Sequence, residues 1–174
     1  MITTRAYMPK AKSTRWETPA DLFAELDEEF RFELDPCAAT PETAKTPAFF
    51  TPSDDGLSQP WGRKRVFVNP PYGRALPGWL SKAWEEAQYN GATVVMLLPT
   101  RTDTKWFHEY VMPHASEVRF IEGRVKYRNP DTGLEAPAPF PSMIVVFYPA
   151  MVTEHLFSSW RPRHVKRQQR KGAR

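Results

Sequence analysis

A short apolar run followed at once by two prolines constrains the fold of this chain more than any other feature. Residues 66–68 are Val-Phe-Val, and such β-branched and aromatic residues predict a buried strand. The strand must end at Asn69, because Pro70 and Pro71 have no backbone N–H to offer a neighbouring strand. In open α/β sheets, ligands bind at the carboxyl ends of the strands. We therefore predict that Asn69, the two rigid proline carbonyls and the ring of Tyr72 lie in a ligand-binding loop.

The other apolar segments predict a single α/β domain with a mostly parallel sheet, helices on both faces and an antiparallel terminal hairpin. Thr18 is suited to cap a helix whose first residue is Pro19. The two strands of the hairpin surround a long proline-rich loop, and we expect the second to lie at the edge of the sheet. Between residues 35 and 69 there is too little chain for two further strand–helix units, so we infer that a helix and a strand are shortened or lost there. The spacing of apolar residues predicts helices over 20–30, 76–89 and 106–111. It predicts strands over 32–35, 49–50, 66–68, 93–98, 117–122 and 143–148. In the second helix, we expect Glu85 and Glu86 to face water.

Charge divides the chain into three parts. Residues 161–174 contain seven Lys or Arg and no acid, which leaves 17 of the 24 basic residues and all 20 acidic residues in the remainder. We predict a flexible arm over 1–14, a folded domain over 15–160 and a basic tail over 161–174. Such tails commonly contact nucleic-acid phosphates, although a solvated tail that aids solubility is the alternative.

Composition excludes several classes of protein. The single cysteine cannot form an internal disulfide, which predicts a reducing compartment and hence a cytoplasmic protein. No apolar run approaches the roughly 20 residues that span a membrane, and no secretory signal is apparent. No group of Cys and His residues has metal-ligand spacing, so we predict no metal.

Several short motifs occur in a fixed order along the chain. They are Trp-x-Thr-Pro from residue 16, Leu-Asp-Pro-Cys-Ala from 34, Asp-Asp-Gly-Leu from 54, Asn-Pro-Pro-Tyr from 69 and Leu-Pro-x-Arg-Thr-Asp from 98. As a series, covering about residues 14–150, they resemble the compact Dam-type DNA N6-adenine methyltransferases encoded by bacteriophages and prophages. The resemblance implies a Rossmann-like methyltransferase fold, S-adenosylmethionine as cofactor, DNA as partner and a bacterial host cell as location.

The resemblance also implies a role for individual residues. The catalytic loop would consist of Asn69, Pro70, Pro71 and Tyr72. Contacts to S-adenosylmethionine would come from Trp16, Thr18, Pro19, Asp35, Pro36, Cys37 and Asp55, with the Asp35 carboxylate meeting the ammonium group. Contacts to DNA would come from Arg101, Arg124, Lys126, Arg161, Arg163, Lys166 and Arg167.

The chemistry of an exocyclic amine explains the catalytic loop. The N6 lone pair of adenine is delocalised into the ring, which makes it a poor nucleophile. The Asn69 side-chain oxygen and the Pro70 carbonyl could each accept one N6 hydrogen, so that the lone pair points at the methyl group. This is catalysis by positioning and electrostatics rather than by a strong base. Tyr72 would stack on a flipped base, a role that needs its ring and not its hydroxyl.

Two alternatives remain open from the sequence. The same loop could serve another amine: cytosine N4, an RNA adenine or a protein glutamine. Asn at position 69 favours adenine by resemblance only. The chain could also be a non-catalytic DNA-binding protein on a degenerate methyltransferase scaffold, because Cys-Ala-Ala at 37–39 replaces the usual Gly-rich cofactor loop. The recognised DNA sequence and the oligomeric state do not follow from the residues.

Overall fold

The computed structural model describes residues 17–128, 133–149 and 154–163. The chain follows an alternating α/β order with few long connections. The helices are α1 (Ala20–Phe30), α2 (Leu76–Asn90) and the short α3 (Met112–His114), which directly follows a π-helical turn, Phe107–Val111. The strands are β1 (Leu34–Asp35), β2 (Ala48–Phe49), β3 (Arg65–Val68), β4 (Thr93–Pro99), β5 (Glu117–Ile121), β6 (Lys126–Arg128), β7 (Glu135–Pro137), β8 (Ser142–Phe147) and β9 (Leu156–Trp160).

Seven of these strands form one mixed sheet in the order β2-β1-β3-β4-β8-β5-β9. The four strands from β2 to β4 run parallel, and β9 runs parallel to β5. Only β8 is antiparallel to its neighbours β4 and β5. The prediction of a mostly parallel α/β sheet is therefore confirmed, and the ends of β1 and β3 meet at one edge, as the ligand-binding prediction requires.

The position of β8 corrects one expectation. β5 and β8 pair in antiparallel fashion as predicted, but β8 lies inside the sheet, between β4 and β5. The edge is occupied by β9, for which the sequence analysis predicted no strand. A second, separate sheet is the antiparallel hairpin of β6 and β7, and β7 lies within the segment for which the sequence predicted a long proline-rich loop. Residues 129–132, between these two strands, lie outside the described residues.

The side chains of the central strand, β4, alternate between two separate apolar cores. Val94, Met96 and Leu98 point to the face that packs against α2. Val95 and Leu97 point to the opposite face, which packs against α1. Because successive side chains of a strand face opposite ways, one continuous apolar run supplies both cores. Helices therefore cover both faces of the sheet, as predicted.

Two local predictions were wrong. Helix α1 has the predicted bounds, but Pro19 occupies the N-cap position without a side-chain hydrogen bond, and the hydroxyl of Thr18 has another partner. Glu86 does not face water: it is 1% exposed and pairs with Lys82 at 2.6 Å between Oε1 and Nζ. The backbone N–H of Gly62 also donates to Glu86 Oε2 at 3.2 Å.

The stretch between β1 and β3 is as short as the sequence predicted. It contains a single 3₁₀ turn, Pro41–Thr43, and the two-residue strand β2. No α-helix occurs in residues 36–64, all of which are described. Among the helices of the described residues, none combines the length and apolar character that a membrane span requires.

Candidate active site

A cleft of about 370 Å³ opens at the carboxyl ends of β1 and β3. Its walls bring together the two groups of residues that the sequence analysis assigned to catalysis and to cofactor binding. Those that line it are Thr18, Asp35, Pro36, Cys37, Asp55, Asn69, Pro70, Pro71 and Tyr72. Pro19 is not among the lining residues, and Trp16 lies outside the described residues.

Asn69 follows β3 directly, and its amide is held at both ends. Its Nδ2 donates to the hydroxyl of Thr18 at 3.1 Å. Its Oδ1 accepts from the hydroxyl of Tyr72 at 3.1 Å. Thr18, just before α1, is 51 residues away from Asn69 along the chain, whereas Tyr72 is three residues away. The plane of the amide is therefore set by contacts from two different parts of the fold.

The hydroxyl of Tyr72 is turned into the protein. Besides Asn69, it lies 3.2 Å from the carbonyl oxygen of Leu97 and 3.0 Å from the hydroxyl of Tyr127. Burial raises the pKa of Tyr72 well above its ordinary value and also raises the pKa of Tyr127. Both phenols therefore stay protonated at neutral pH and serve as hydrogen-bond donors. These contacts change the expectation that the Tyr72 hydroxyl is dispensable.

Phe140 lies beside the catalytic loop, where no role had been predicted for it. Its ring meets the Tyr72 ring at a centroid distance of 5.6 Å and an angle of 75°. The guanidinium of Arg101 lies over the Phe140 ring, 5.9 Å from its centroid. The Tyr72–Phe140 pair has the edge-to-face geometry that aromatic pairs prefer, and Arg101 adds a cation beside it.

Asp35 closes the loop that follows β1. Its Oδ1 accepts the backbone N–H of Cys37 at 3.2 Å, and its Oδ2 accepts that of Lys45 at 3.0 Å. Burial raises the pKa of Asp35, while these two hydrogen bonds act in the opposite direction. Burial, with a contribution from Asp35, also raises the pKa of the Cys37 thiol, so this thiol stays protonated. Asp35 thus shapes the cleft through the backbone as well as lining it.

In another part of the cleft wall, Asp55 has an uncommon backbone conformation and Gly56 lies very close to the backbone of Pro36. Asp55 has a φ of 51°, a left-handed conformation that is uncommon outside glycine, and Ser58 Oγ donates to its carboxylate at 2.5 Å. A Cβ on the next residue, Gly56, would lie 1.9 Å from the carbonyl oxygen of Pro36. Only glycine fits there, and the two sides of the cleft are in direct backbone contact at this point.

Comparison with known proteins assigns the chain to a family. A family model described as DNA N-6-adenine-methyltransferase (Dam) matches residues 5–172. The chain belongs to this Dam family. A relative, the DNA N-6-adenine-methyltransferase of Haemophilus phage HP1 (strain HP1c1), is 32% identical over 163 residues, which cover 91% of this chain and 92% of the relative. The resemblance seen in the motifs is confirmed, and with it the prediction of a DNA adenine N6-methyltransferase.

The basic residues proposed for DNA contact lie in different surroundings in this Dam-family chain. Arg101, Arg124 and Lys126 are exposed. Arg161 is also exposed, and it pairs with Glu122. Lys166 and Arg167 lie outside the described residues.

Arg163 is also engaged with the body of the domain. Its backbone N–H donates to Glu25 Oε2 at 2.8 Å, and its guanidinium lies 2.5 Å from Glu28 Oε2. Both carboxylates belong to α1. The first residues of the predicted tail therefore contact the acidic face of a helix, and a DNA contact by Arg161 or Arg163 would have to compete with these ion pairs.

The sequence analysis missed Tyr127, which is 4% exposed and contacts the catalytic loop. A weak signal was present: Arg124, Lys126 and Arg128 alternate with Val125 and Tyr127, the pattern of a strand with one wet and one buried face. In the described part of the chain, no cluster of His, Cys, Asp or Glu is arranged to hold a metal ion.

Proposed function

We propose that this Dam-family chain transfers a methyl group from S-adenosylmethionine to N6 of an adenine that is flipped out of DNA, with the reaction centred on Asn69. The observation that carries the proposal is the amide of Asn69, held at both ends beside a cleft that also contains the buried carboxylate of Asp35. An acceptor fixed in this way can orient an amine before the reaction begins.

The cleft fits the cofactor in size, position and chemistry. Its volume of about 370 Å³ lies in the range of small-molecule sites, roughly 300–1,000 Å³. It lies at the carboxyl ends of parallel strands, where α/β folds bind ligands. Asp35, Pro36, Cys37 and Asp55 would hold the cofactor, with carboxylates available for its ammonium and hydroxyl groups. When bound, S-adenosylmethionine supplies a methyl group on a positively charged sulfur.

The residues of the loop would hold the adenine amine. An amide oxygen has two lone pairs, so Asn69 Oδ1 can accept from Tyr72 and from one N6–H together. The Pro70 carbonyl would accept the second N6 hydrogen, and its direction is fixed because proline restricts φ. Neither nearby phenol can act as the base, since both remain protonated, so the proton that N6 loses once it has gained the methyl group would pass to solvent. Tyr72, Phe140 and Arg101 would form the aromatic entrance for the flipped base.

Affinity for DNA would come from exposed cations around this entrance and from the basic tail. We assign phosphate contacts to Arg101, Arg124 and Lys126, with Lys166 and Arg167 of the tail. Within this domain, sequence preference would come from loops or be low. The relative from a bacteriophage and the single cysteine support action in the cytoplasm of a bacterial host.

Replacement of Asn69 by alanine tests this proposal. We expect Asn69→Ala to lower the single-turnover rate of adenine methylation by a factor on the order of 10²–10³, the effect of losing one preorganised polar contact. Binding of S-adenosylmethionine, measured by calorimetry, should be unchanged. The matched control is Asn90→Ala, an exposed asparagine at the end of α2, which should leave both quantities unchanged.

The substrate is tested in cells. Expression in a host that lacks adenine methylation, followed by modification-sensitive sequencing of its DNA, would report the modified base and its sequence context together. Methylated adenines at one motif would establish site specificity, and methylation in many contexts would establish low specificity. Modified cytosines, or an Asn69→Ala rate near that of the wild type, would overturn the proposal. Absence of cofactor binding in calorimetry would favour a non-catalytic DNA-binding protein.

A further inference from the structure

Four polar side chains form a continuous hydrogen-bonded chain around the catalytic amide. It runs from Thr18 through Asn69 and Tyr72 to Tyr127, with donor–acceptor distances of 3.1, 3.1 and 3.0 Å. We propose that Tyr127 and Thr18 are positioning residues for methyl transfer, which hold the Asn69 amide in its reactive orientation from its two ends. The inference rests on the proposed role of Asn69 and adds the residues that support it.

The direction of each hydrogen bond follows from the chemistry of the groups. The amide nitrogen of Asn69 can only donate, so the Thr18 hydroxyl accepts. The amide oxygen can only accept, so Tyr72 donates its single hydroxyl proton. Tyr127 must then donate to Tyr72, because Tyr72 has no second proton. Such donation polarises the Tyr72 hydroxyl and strengthens the hydrogen bond that it donates to the amide.

The two ends of this hydrogen-bonded network, Thr18 and Tyr127, are held by backbone hydrogen bonds of their neighbours. The N–H of Glu17 donates to the carbonyl of Arg128 at 3.0 Å, and the N–H of Arg128 donates back to Glu17 at 3.3 Å. Thr18 and Tyr127 are the immediate neighbours of this paired bridge. The segment before α1 and strand β6 are therefore joined at the level of the network, which fixes the separation between its two ends.

The burial of Thr18 and Tyr127 supports a role in which they act on the reaction through the Asn69 amide. Thr18 is 3% exposed and Tyr127 is 4% exposed, and both hydroxyls are already hydrogen-bonded within the protein. The resemblance to the methyltransferase family had implied that Thr18 contacts the cofactor. The two roles predict different kinetics, because a cofactor contact changes KM for S-adenosylmethionine whereas a positioning contact changes kcat.

Matched substitutions separate the two roles. Tyr127→Phe removes only the hydroxyl, and Thr18→Val replaces the hydroxyl by a methyl group of similar size. We expect each to lower kcat roughly tenfold, as for the loss of one hydrogen bond, with KM for cofactor and DNA within about twofold of the wild type. Thr18→Ser keeps the hydroxyl and should retain near wild-type kcat. Because both tyrosines stay protonated, the shape of the pH–rate profile should not change.

A double substitution tests whether Tyr127 acts through Tyr72. If it does, Tyr72→Phe combined with Tyr127→Phe should be no slower than Tyr72→Phe alone, since the link is already broken. A readout without catalysis is the side-chain ¹⁵N amide resonance of Asn69, identified by its loss in Asn69→Ala. This resonance should shift in Thr18→Val and in Tyr127→Phe and stay in place in Thr18→Ser.

Any of three results would overturn the proposal. The first is an unchanged kcat with an unshifted Asn69 resonance in Tyr127→Phe, and the second is fully multiplicative losses of kcat in the double variant. The third is a raised KM for S-adenosylmethionine with normal kcat in Thr18→Val. A wild-type protein that methylates no adenine would instead overturn the proposed function. A wild type that methylates adenine while Tyr127→Phe and Thr18→Val match it would overturn the positioning role alone.

Discussion

Removal of the buried carboxylate of Glu86 is expected to destabilise this domain, because its charged partner would be left unpaired. It is 1% exposed, and its partner Lys82 keeps only 20% of its side-chain surface in water. The Lys82 ammonium also lies 5.7 Å from the centroid of Trp61. Removing one partner of a buried ion pair costs about 3–5 kcal/mol, because the other charge is left uncompensated. Since Lys82 is partly exposed, we expect Glu86→Ala to cost about 3 kcal/mol, near the lower limit of that range.

This free energy converts to a clear thermal shift. For a chain of 174 residues, each kcal/mol lowers Tm by about 2–4 °C, so Glu86→Ala should lower Tm by about 6–12 °C. Glu86→Gln keeps the shape and the hydrogen bond from Gly62 and should cost less. The matched control is Glu85→Ala: Glu85 is exposed, its only partner among the described side chains is Ser81, and its loss should change stability by less than about 0.5 kcal/mol.

Thermal and guanidinium unfolding of these variants at one pH and salt concentration checks the prediction. Replacement of both partners, Lys82→Met with Glu86→Leu, should be less destabilising than Glu86→Ala, since no unpaired charge remains buried. The loop held by Glu86 includes Trp61, whose Nε1–H donates to the carbonyl of Gly56 at 2.9 Å in the cleft wall. Glu86→Ala should therefore also weaken cofactor binding. A Tm for Glu86→Ala equal to that of Glu85→Ala would refute the reasoning.

Three further predictions concern the cleft and the tail. Asp35→Ala should weaken S-adenosylmethionine binding more than DNA binding, because it removes a carboxylate from the cleft and the acceptor of the Lys45 backbone N–H. An unchanged affinity for S-adenosylmethionine in calorimetry would move the cofactor site toward Asp55. Gly56→Ala should lower Tm and cofactor affinity together, since its Cβ would lie 1.9 Å from a backbone oxygen, and a Tm equal to that of the wild type would contradict this contact. Deletion of residues 164–174 removes five Lys or Arg residues and should weaken DNA binding at every sequence, with a shallower salt dependence and unchanged methylation sites; an altered site profile would mean that the tail reads bases.

Local periodicity was sufficient to predict most of the helices and strands. Helix α1 has the predicted bounds, and α2 extends one residue beyond them, to the Asn90–Gly91 stop. The error at Glu86 is instructive, because its spacing from Trp79 and Ala83 puts it on the apolar face of α2. We assigned it to solvent because a carboxylate is rarely buried. The helical spacing was right, and the residue type was misleading because a partner four residues away, Lys82, compensates the charge.

Pairing between distant segments could not be predicted in this way. The position of β8 between β4 and β5, and the pairing of β9 with β5, depend on which chains meet in space, and Leu-Phe-Ser-Ser-Trp has no clear period of two. The same limit applies to the contacts of the Tyr72 hydroxyl. From the motif alone its hydroxyl had no partner, whereas in the fold it lies beside Leu97 and Tyr127, which are 25 and 55 residues away.

Strand β6 combines a local alternation of side chains with pairing between distant segments. Its alternating side chains put Lys126 and Arg128 on the exposed face and Tyr127 on the buried face, against the catalytic loop. Its backbone is paired with β7 on one side and with Glu17, next to Thr18, on the other. A phosphate contact made by the exposed cations would therefore act on the same short strand that holds the Asn69 amide through Tyr72. This domain thus has a direct physical connection between the surface proposed to meet DNA and the group proposed to orient the reacting amine.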